Sequence, residues 1–259
     1  MSNQTNIEVV PYDPHWPKMF QIESQKIKTI LGENCITIHH VGSTAITGLW
    51  AKPIIDMIPV VKDIFAVEQQ NQAMQSLGYT AKGEHGMLFR RFFQRVVPVP
   101  ACNVHVYEEG SGEIDRLVRF REYLNNNERY KQQYADLKRD LATKTNDITK
   151  YTLAKDALIK EIDSQTGFNG YRMVHALTPR EWSTYHRLLN MDLNQEKEST
   201  LKHIVLYHGV DVVGAALLRT DKQTTYVDKL AIDHSLDETP TKNYFIQQLK
   251  RWLLHTAED

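Results

Sequence analysis

The chain has 259 residues, 41% of them hydrophobic and 24% charged, with a formal net charge of −1 and two cysteines. That balance predicts a water-soluble globular protein with apolar residues enough for one large core or two ordinary ones. It excludes a membrane-spanning bundle, a disulfide framework and a protein that coats nucleic acid through bulk positive charge. The opening MSNQTNIEVVPYD has neither the basic nor the apolar region of an export signal, and Cys35 and Cys102 read as free core thiols, so a reducing cytoplasm is expected.

In chain order, Pro11, Pro14 and Pro17 forbid regular helix up to about Trp16 and predict an extended arm. From Pro17 to Leu31 the apolar residues recur at helical spacing, and Gly32 closes the helix. The β-branched approach Ile36, Ile38, Val41 predicts a strand that runs into a Gly42–Ser43 turn, followed by a short helix from Thr44 and a second strand, Ile54 to Val61, carrying the lone acid Asp56. Asp63 and Gly78 bracket a further helix to Leu77. The next piece reads as two or three strands punctuated by Gly83, Gly86 and Pro98, and the alternation in NVHVY puts Asn103, His105 and Tyr107 on one face. Three polar helices follow, the last from Thr149 to Ile162. The stretch SQTGFNG, residues 164–170, is the most linker-like in the chain and divides a domain of residues 1–163 from one of residues 171–259. Beyond it, Thr178, Pro179 and Glu181 form a capping-box helix start. Strands in HIVLYHG, VVGAALLR and YVDKLAID come next, then the helix IQQLKRWLLHTA.

The stretch HHVGSTAITGLWAKPIIDM, residues 39–57, concentrates the chemistry. Small residues in a Gly42–Ser43 loop let an anion approach backbone N–H groups, the Ser43 hydroxyl adds a donor, and Lys52 adds charge. Asp56 on the adjoining strand is placed to hold a divalent metal or a ribose. His105 on the later strand is a candidate ligand or general base. Arg90 and Arg91 follow the GEHG turn and are candidate anion forks, and Glu84 is a candidate second carboxylate. Each has a plainer reading as a turn, a cap or a surface ion pair. A zinc site from His39, His40, Cys102 and His105 is disfavoured, because period two sends Cys102 and His105 to opposite faces.

The ordered blocks VVPYDPHWPKMF, HHVGSTAITGLWAKPIIDM, LGYTAKGEHGMLFRRFF, HVYEEGSGEIDRLVRFREYL, YADLKRDLA and YTLAKDALIKEI resemble the GrpB family across residues 9–162. The resemblance implies an α/β (α+β) fold of nucleotidyltransferase type, a mixed sheet flanked by helices, with the Gly-Ser loop gripping phosphates. It also implies that Arg119, Arg121 and Lys155 on the helices close over a substrate. Nucleotidyltransferases place two acids one residue apart on the strand after that loop, whereas here Ile58 stands in the second place. One carboxylate and one imidazole make a poor Mg²⁺ cage, so Mg²⁺ or another divalent metal at Asp56 and His105 is an open expectation and binding is favoured over transfer. Residues 171–255, through HIVLYHGVDVVGAALLR and YVDKLAID, are similar to part of the Gcn5-related acetyltransferase fold. The expected pyrophosphate loop is replaced by HSLDETPTKNYF, which lacks glycine and carries acids, and this speaks against acetyl-CoA.

The leading expectation is binding of a nucleotide or other phosphorylated small molecule, with nucleotidyl or phosphoryl transfer as an extension. The alternatives are a non-enzymatic assembly protein with two degenerate enzyme domains, and an acetyl-CoA-dependent N-acetyltransferase. Neither a membrane nor nucleic acid is expected as a partner, and an open sheet edge of the C-terminal domain is expected to be covered either by the first domain or by a second copy of the chain in a homodimer.

Overall fold

The computed structural model describes residues 7–97, 100–191, 200–222, 224–234 and 238–256. They form two compact units. The first runs to His85 and resumes over Arg90–Phe168; the second takes Gly86–Phe89 and the chain from Asn169 onward. The break between Phe168 and Asn169 falls inside the expected linker 164–170, although helix occupies its first two residues, Ser164 and Gln165. The assignment of residues 86–89 departs from a simple N-terminal domain of residues 1–163, and its cause is pairing: Met87 bridges Val174, and Leu88 N–H donates to the Met173 carbonyl at 3.2 Å.

The first unit is mixed α/β. Helix α1 (Trp16–Leu31) carries a proline in its first turn, ends at Gly32 and buries Trp16, Ile27 and Leu31. Strands β1 (Cys35–Val41) and β2 (Ile54–Val61) follow, then β3 (Thr80–Ala81), β4 (Arg90–Arg95) and β5 (Ala101–Glu108). Their sheet order is β1-β2-β5-β4-β3, with β2 and β5 parallel and the other pairs antiparallel. Between β2 and β3 the expected single helix is instead a 3₁₀ segment (Phe65–Gln70) leading into the one-and-a-half-turn helix α2 (Asn71–Ser76). Asp63 does cap this stretch, accepting from the Phe65 N–H at 2.8 Å, but it starts the tighter helix. Helices α3 (Gly112–Asn126) and α4 (Glu128–Lys144) come next. The expected third helix is broken at Ala154 and Lys155 into α5 (Ile148–Leu153) and α6 (Asp156–Gln165). Ile46, Leu49, Phe120, Leu124, Tyr134, Ala135 and Ile162 form the core that seats these helices beside the Gly42 loop.

The second unit has an antiparallel sheet, β6 (Tyr171–His175), β7 (Leu201–His208), β8 (Asp211–Asp221) and β9 (Thr224–Ile232), in that order. Helix α7 (Pro179–Leu189) begins with the expected capping box of Thr178 and Glu181. It covers one face of the sheet through Tyr185 and Leu189, while α8 (Glu238–Thr256) covers the other through Phe245, Leu249 and Trp252. Residues 235–237, in the HSLDETPTKNYF segment, lie outside the described residues, as do 98–99 and 257. Among the described residues no helix is long and apolar enough to cross a membrane, and both cysteines are buried and free.

Candidate anion-binding site

Asp56 sits where three parts of the first unit converge. On β2 it pairs with Val41 of β1 on one side and with Asn103 of β5 on the other. Period two therefore puts Asp56, Asn103 and His105 on one sheet face. The Asn103 amide donates to Asp56 Oδ1 at 2.8 Å, and His105 Nε2 stands 3.7 Å from the same oxygen. The other oxygen lies against Gly42: a Cβ on that residue would come within 2.5 Å of Asp56 Oδ2. Gly42 also has φ +68° and ψ −171°, a backbone region essentially reserved for glycine. The glycine is thus required by the carboxylate packed on it, a reason the sequence alone does not give.

Past Gly42 the chain makes a 3₁₀ turn, Ser43–Ala45, fastened by buried Thr44. The Thr44 hydroxyl donates to the Ile54 carbonyl at 3.2 Å and therefore accepts from His40 Nε2 at 3.1 Å. His40 is stacked on Phe20, and burial pushes its pKa down to about 4, so it is neutral in the working range. The turn presents Ser43 to α4. There Lys138, only 2% exposed, donates to Ser43 Oγ at 3.0 Å and to the Trp50 carbonyl, and its ammonium lies 4.7 Å from the centre of the Tyr134 ring.

Lys52 and Lys155 complete the cluster. Their ammonium groups lie 5.4 Å and 4.2 Å from the centre of the Tyr151 ring, which is buried and whose hydroxyl has no hydrogen-bond partner among the described residues. Neither lysine makes an ion pair among the described residues, and both feel Asp56 only at longer range. Burial lowers the pKa of all three lysines: Lys138 to about 7, with Lys155 adding to the effect, and Lys155 to about 8, with Lys52 adding. Asp56 opposes the shift in each case. Three lysines within electrostatic reach of one carboxylate disfavour one another's charged forms, and a bound anion would offset that repulsion.

Of the residues singled out from sequence, Gly42, Ser43, Lys52, Asp56, His105 and Lys155 come together here. Arg90 touches the group indirectly, through Nη1 at 3.5 Å from His105 Nδ1. A guanidinium can only donate, so this contact puts the His105 proton on Nε2, facing Asp56. The other nitrogens of Arg90 donate to the Glu84 and His85 carbonyls. Arg121 donates to the His40 carbonyl at 2.8 Å and secures the end of β1. Arg91, Glu84 and Arg119 are engaged elsewhere. Arg91 pairs with Glu68 at 2.5 Å and with Glu84 at 3.8 Å, while half-exposed Arg119 pairs with Asp115 at 2.7 Å.

Sequence reasoning missed Lys138, Tyr134 and Tyr151, although a signal was present. YADLK (134–138) and YTLAK (151–155) repeat the spacing Tyr-x-x-x-Lys, which seats a lysine one helical turn beyond a tyrosine.

As a divalent-metal site the donor set fits poorly. Asp56 is a single carboxylate with one oxygen engaged by Asn103 and the other packed on Gly42, and buried Ile58 fills the second acid position. Among the described residues no group of three or more His, Cys, Asp or Glu side chains is placed to hold a metal ion.

Comparison with known proteins shows that residues 6–165 form a recurrent domain. The family model described as GrpB protein matches residues 6–165. The UPF0157 protein YqkA of Bacillus subtilis is 41% identical over 60% of this chain and 45% of its own length. The glutamate-rich protein GrpB of Alkalihalophilus pseudofirmus is 31% identical over 62% of this chain and 95% of its own length. The crystal structure of the conserved protein GrpB from Enterococcus faecalis matches with a TM-score of 0.58 and 38% identity, covering 61% of this chain and 96% of that one. The chain thus spans less than half of the Bacillus subtilis relative and nearly all of the other two.

Proposed function

Because the chain belongs to the GrpB family through residues 6–165, we propose that its first unit is a nucleotidyltransferase-like domain that binds a nucleotide or another phosphorylated small molecule at the Gly42–Ser43 loop. The observation that carries this reading is a lysine cluster, Lys138 on Ser43 and Lys52 and Lys155 on the Tyr151 ring, in which neither Lys52 nor Lys155 makes an ion pair among the described residues. A phosphate seated there would accept from the lysines and share their charge, and the sheet-borne Asp56, held by Asn103 and faced by His105, would orient a ribose or a hydroxyl beside it. Binding is the primary claim; the second unit supplies none of these side chains.

The test is a thermal-shift screen of the full chain against nucleoside triphosphates, coenzyme A and acetyl-CoA. A ligand at about a hundred times its Kd stabilises by roughly 2.7 kcal/mol, equivalent to roughly 5–10 °C for a unit of this size. The expected result is such a rise with a phosphate-bearing ligand, lost in Ser43→Ala and Lys52→Gln. No rise with any of them would favour the assembly protein, and a rise with acetyl-CoA alone that survives both substitutions would move the function to the second unit.

A further inference from the structure

The nucleotidyltransferase reading brings with it a metal that these residues do not suit, and the same residues supply an alternative. In a two-acid site the protein is locally negative, and divalent cations bridge its carboxylates to the phosphates. Here the balance is reversed. Asp56 has its Oδ1 taken by Asn103 and its Oδ2 packed on Gly42, while three lysines lie within its electrostatic reach, Lys138 on Ser43 and Lys52 and Lys155 on the Tyr151 ring. Lys52 and Lys155 share the buried ring of Tyr151, and Lys138 is fixed by Ser43 and the Trp50 carbonyl. A divalent cation brought here would meet ammonium groups rather than oxygen ligands, and a metal-chelated phosphate would arrive with the charge that attracts those lysines already neutralised.

We propose, building on the phosphate-binding reading above, that Lys52 and Lys155 stand in for the divalent metal, so that the site takes a free, unchelated phosphate dianion or pyrophosphate group and takes it better without Mg²⁺ than with it. Lys138 has a different part. It is a positioning residue that holds the Ser43 hydroxyl and the 3₁₀ turn in place. Asp56 then acts on the rest of the ligand or on the lysines, and its negative charge opposes the phosphate itself.

The proposal is tested by calorimetric titration of the full chain with inorganic pyrophosphate, in EDTA and in excess Mg²⁺. The expected result is affinity at least tenfold tighter in EDTA, at least tenfold weaker in Lys52→Gln and in Lys155→Gln, and equal or several-fold tighter in Asp56→Asn, in which a carboxylate facing the anion is neutralised. Unfolding midpoints without anion serve as the folding control. They should be unchanged or higher in both lysine variants, since each removes a cation repelled by its neighbour. Binding that requires Mg²⁺, or that Asp56→Asn reduces tenfold, would overturn the metal-free assignment and leave the phosphate-binding reading intact. Absence of pyrophosphate binding in both buffers, together with no response to any nucleotide, would overturn the two together.

Discussion

At Gly42 two demands meet on one residue, a backbone conformation that a side chain strains and a carboxylate that a side chain would strike. In Gly42→Ala the added Cβ would lie 2.5 Å from Asp56 Oδ2 and 2.8 Å from Asp56 Cβ, so either the strand register or the carboxylate must shift. Strain and overpacking together predict a loss of roughly 2–4 kcal/mol, read as a lower urea midpoint for the first unit. A midpoint within experimental error of the parent chain would contradict the packing described. Lys138 supports a prediction of a different kind. Its pKa is pushed down to about 7 from an ordinary 10.5, chiefly by burial. The groups facing it are the Ser43 hydroxyl, the Trp50 carbonyl, the Tyr134 ring, Lys155, Lys52 and Asp56. A lysine with a lowered folded-state pKa binds fewer protons folded than unfolded between about pH 7 and 10.5. Its contribution to the stability of the ligand-free chain therefore rises with pH across that window. A bound anion favours the charged lysine, so affinity should move the other way, weakening from pH 7 to 9, with proton uptake on binding in calorimetry near pH 8. An affinity flat across that range would show that the lysine cluster does not meet the anion.

The elements of the site were legible in proportion to how local their causes are. Alternation placed Asn103 and His105 on one face of β5, because period two follows from the pleat of a single strand, and a short apolar run interrupted by one acid marked β2 with Asp56 on it. Composition could not reveal that β2 and β5 run parallel with Asp56 opposite Asn103, a pairing that joins residues 47 apart in sequence and supplies the hydrogen bond that holds the carboxylate. The same limit explains the arginines of β4. Adjacent Arg90 and Arg91 had to face opposite sides, but which one would reach His105 and which would pair with Glu68 depended on neighbouring chains. Helix 149–162 was predicted as continuous from its apolar spacing, and the break at Ala154 and Lys155 carries no proline or glycine to announce it. The repeated Tyr-x-x-x-Lys spacing was in plain view, yet tyrosine and lysine on a polar helix read first as a solvated face. Only the folded chain shows otherwise: Lys138 reaches Ser43 from α4, and Lys155, in the break between α5 and α6, lies over the buried ring of Tyr151.

At the scale of the molecule, division into two units does not coincide with division into two sequence segments. Gly86–Phe89 belong with residues from Asn169 onward, and they do so through backbone as well as side chain. The His175 N–H donates to the Gly86 carbonyl at 3.0 Å, the Leu88 N–H donates to the Met173 carbonyl at 3.2 Å, and Leu88, 5% exposed, lies in the core with Met173, Ile204, Phe245 and Trp252. The borrowed segment covers an edge of β6 that would otherwise present unpaired N–H and C=O groups to other chains. A fragment of residues 169–259 keeps the four strands and two helices of the unit but loses that cover and a buried leucine. Loss of a buried leucine alone costs roughly 2–5 kcal/mol, a large fraction of the stability of a unit this small. The fragment is therefore expected to unfold at lower denaturant than the corresponding transition of the full chain and to self-associate through β6, visible as a larger species in size-exclusion chromatography. Leu88→Ala in the full chain should lower the second unit's transition and leave the first unit's in place, which separates loss of the core contact from loss of chain length. A monomeric fragment with an unshifted midpoint would show that the second unit is complete without residues 86–89.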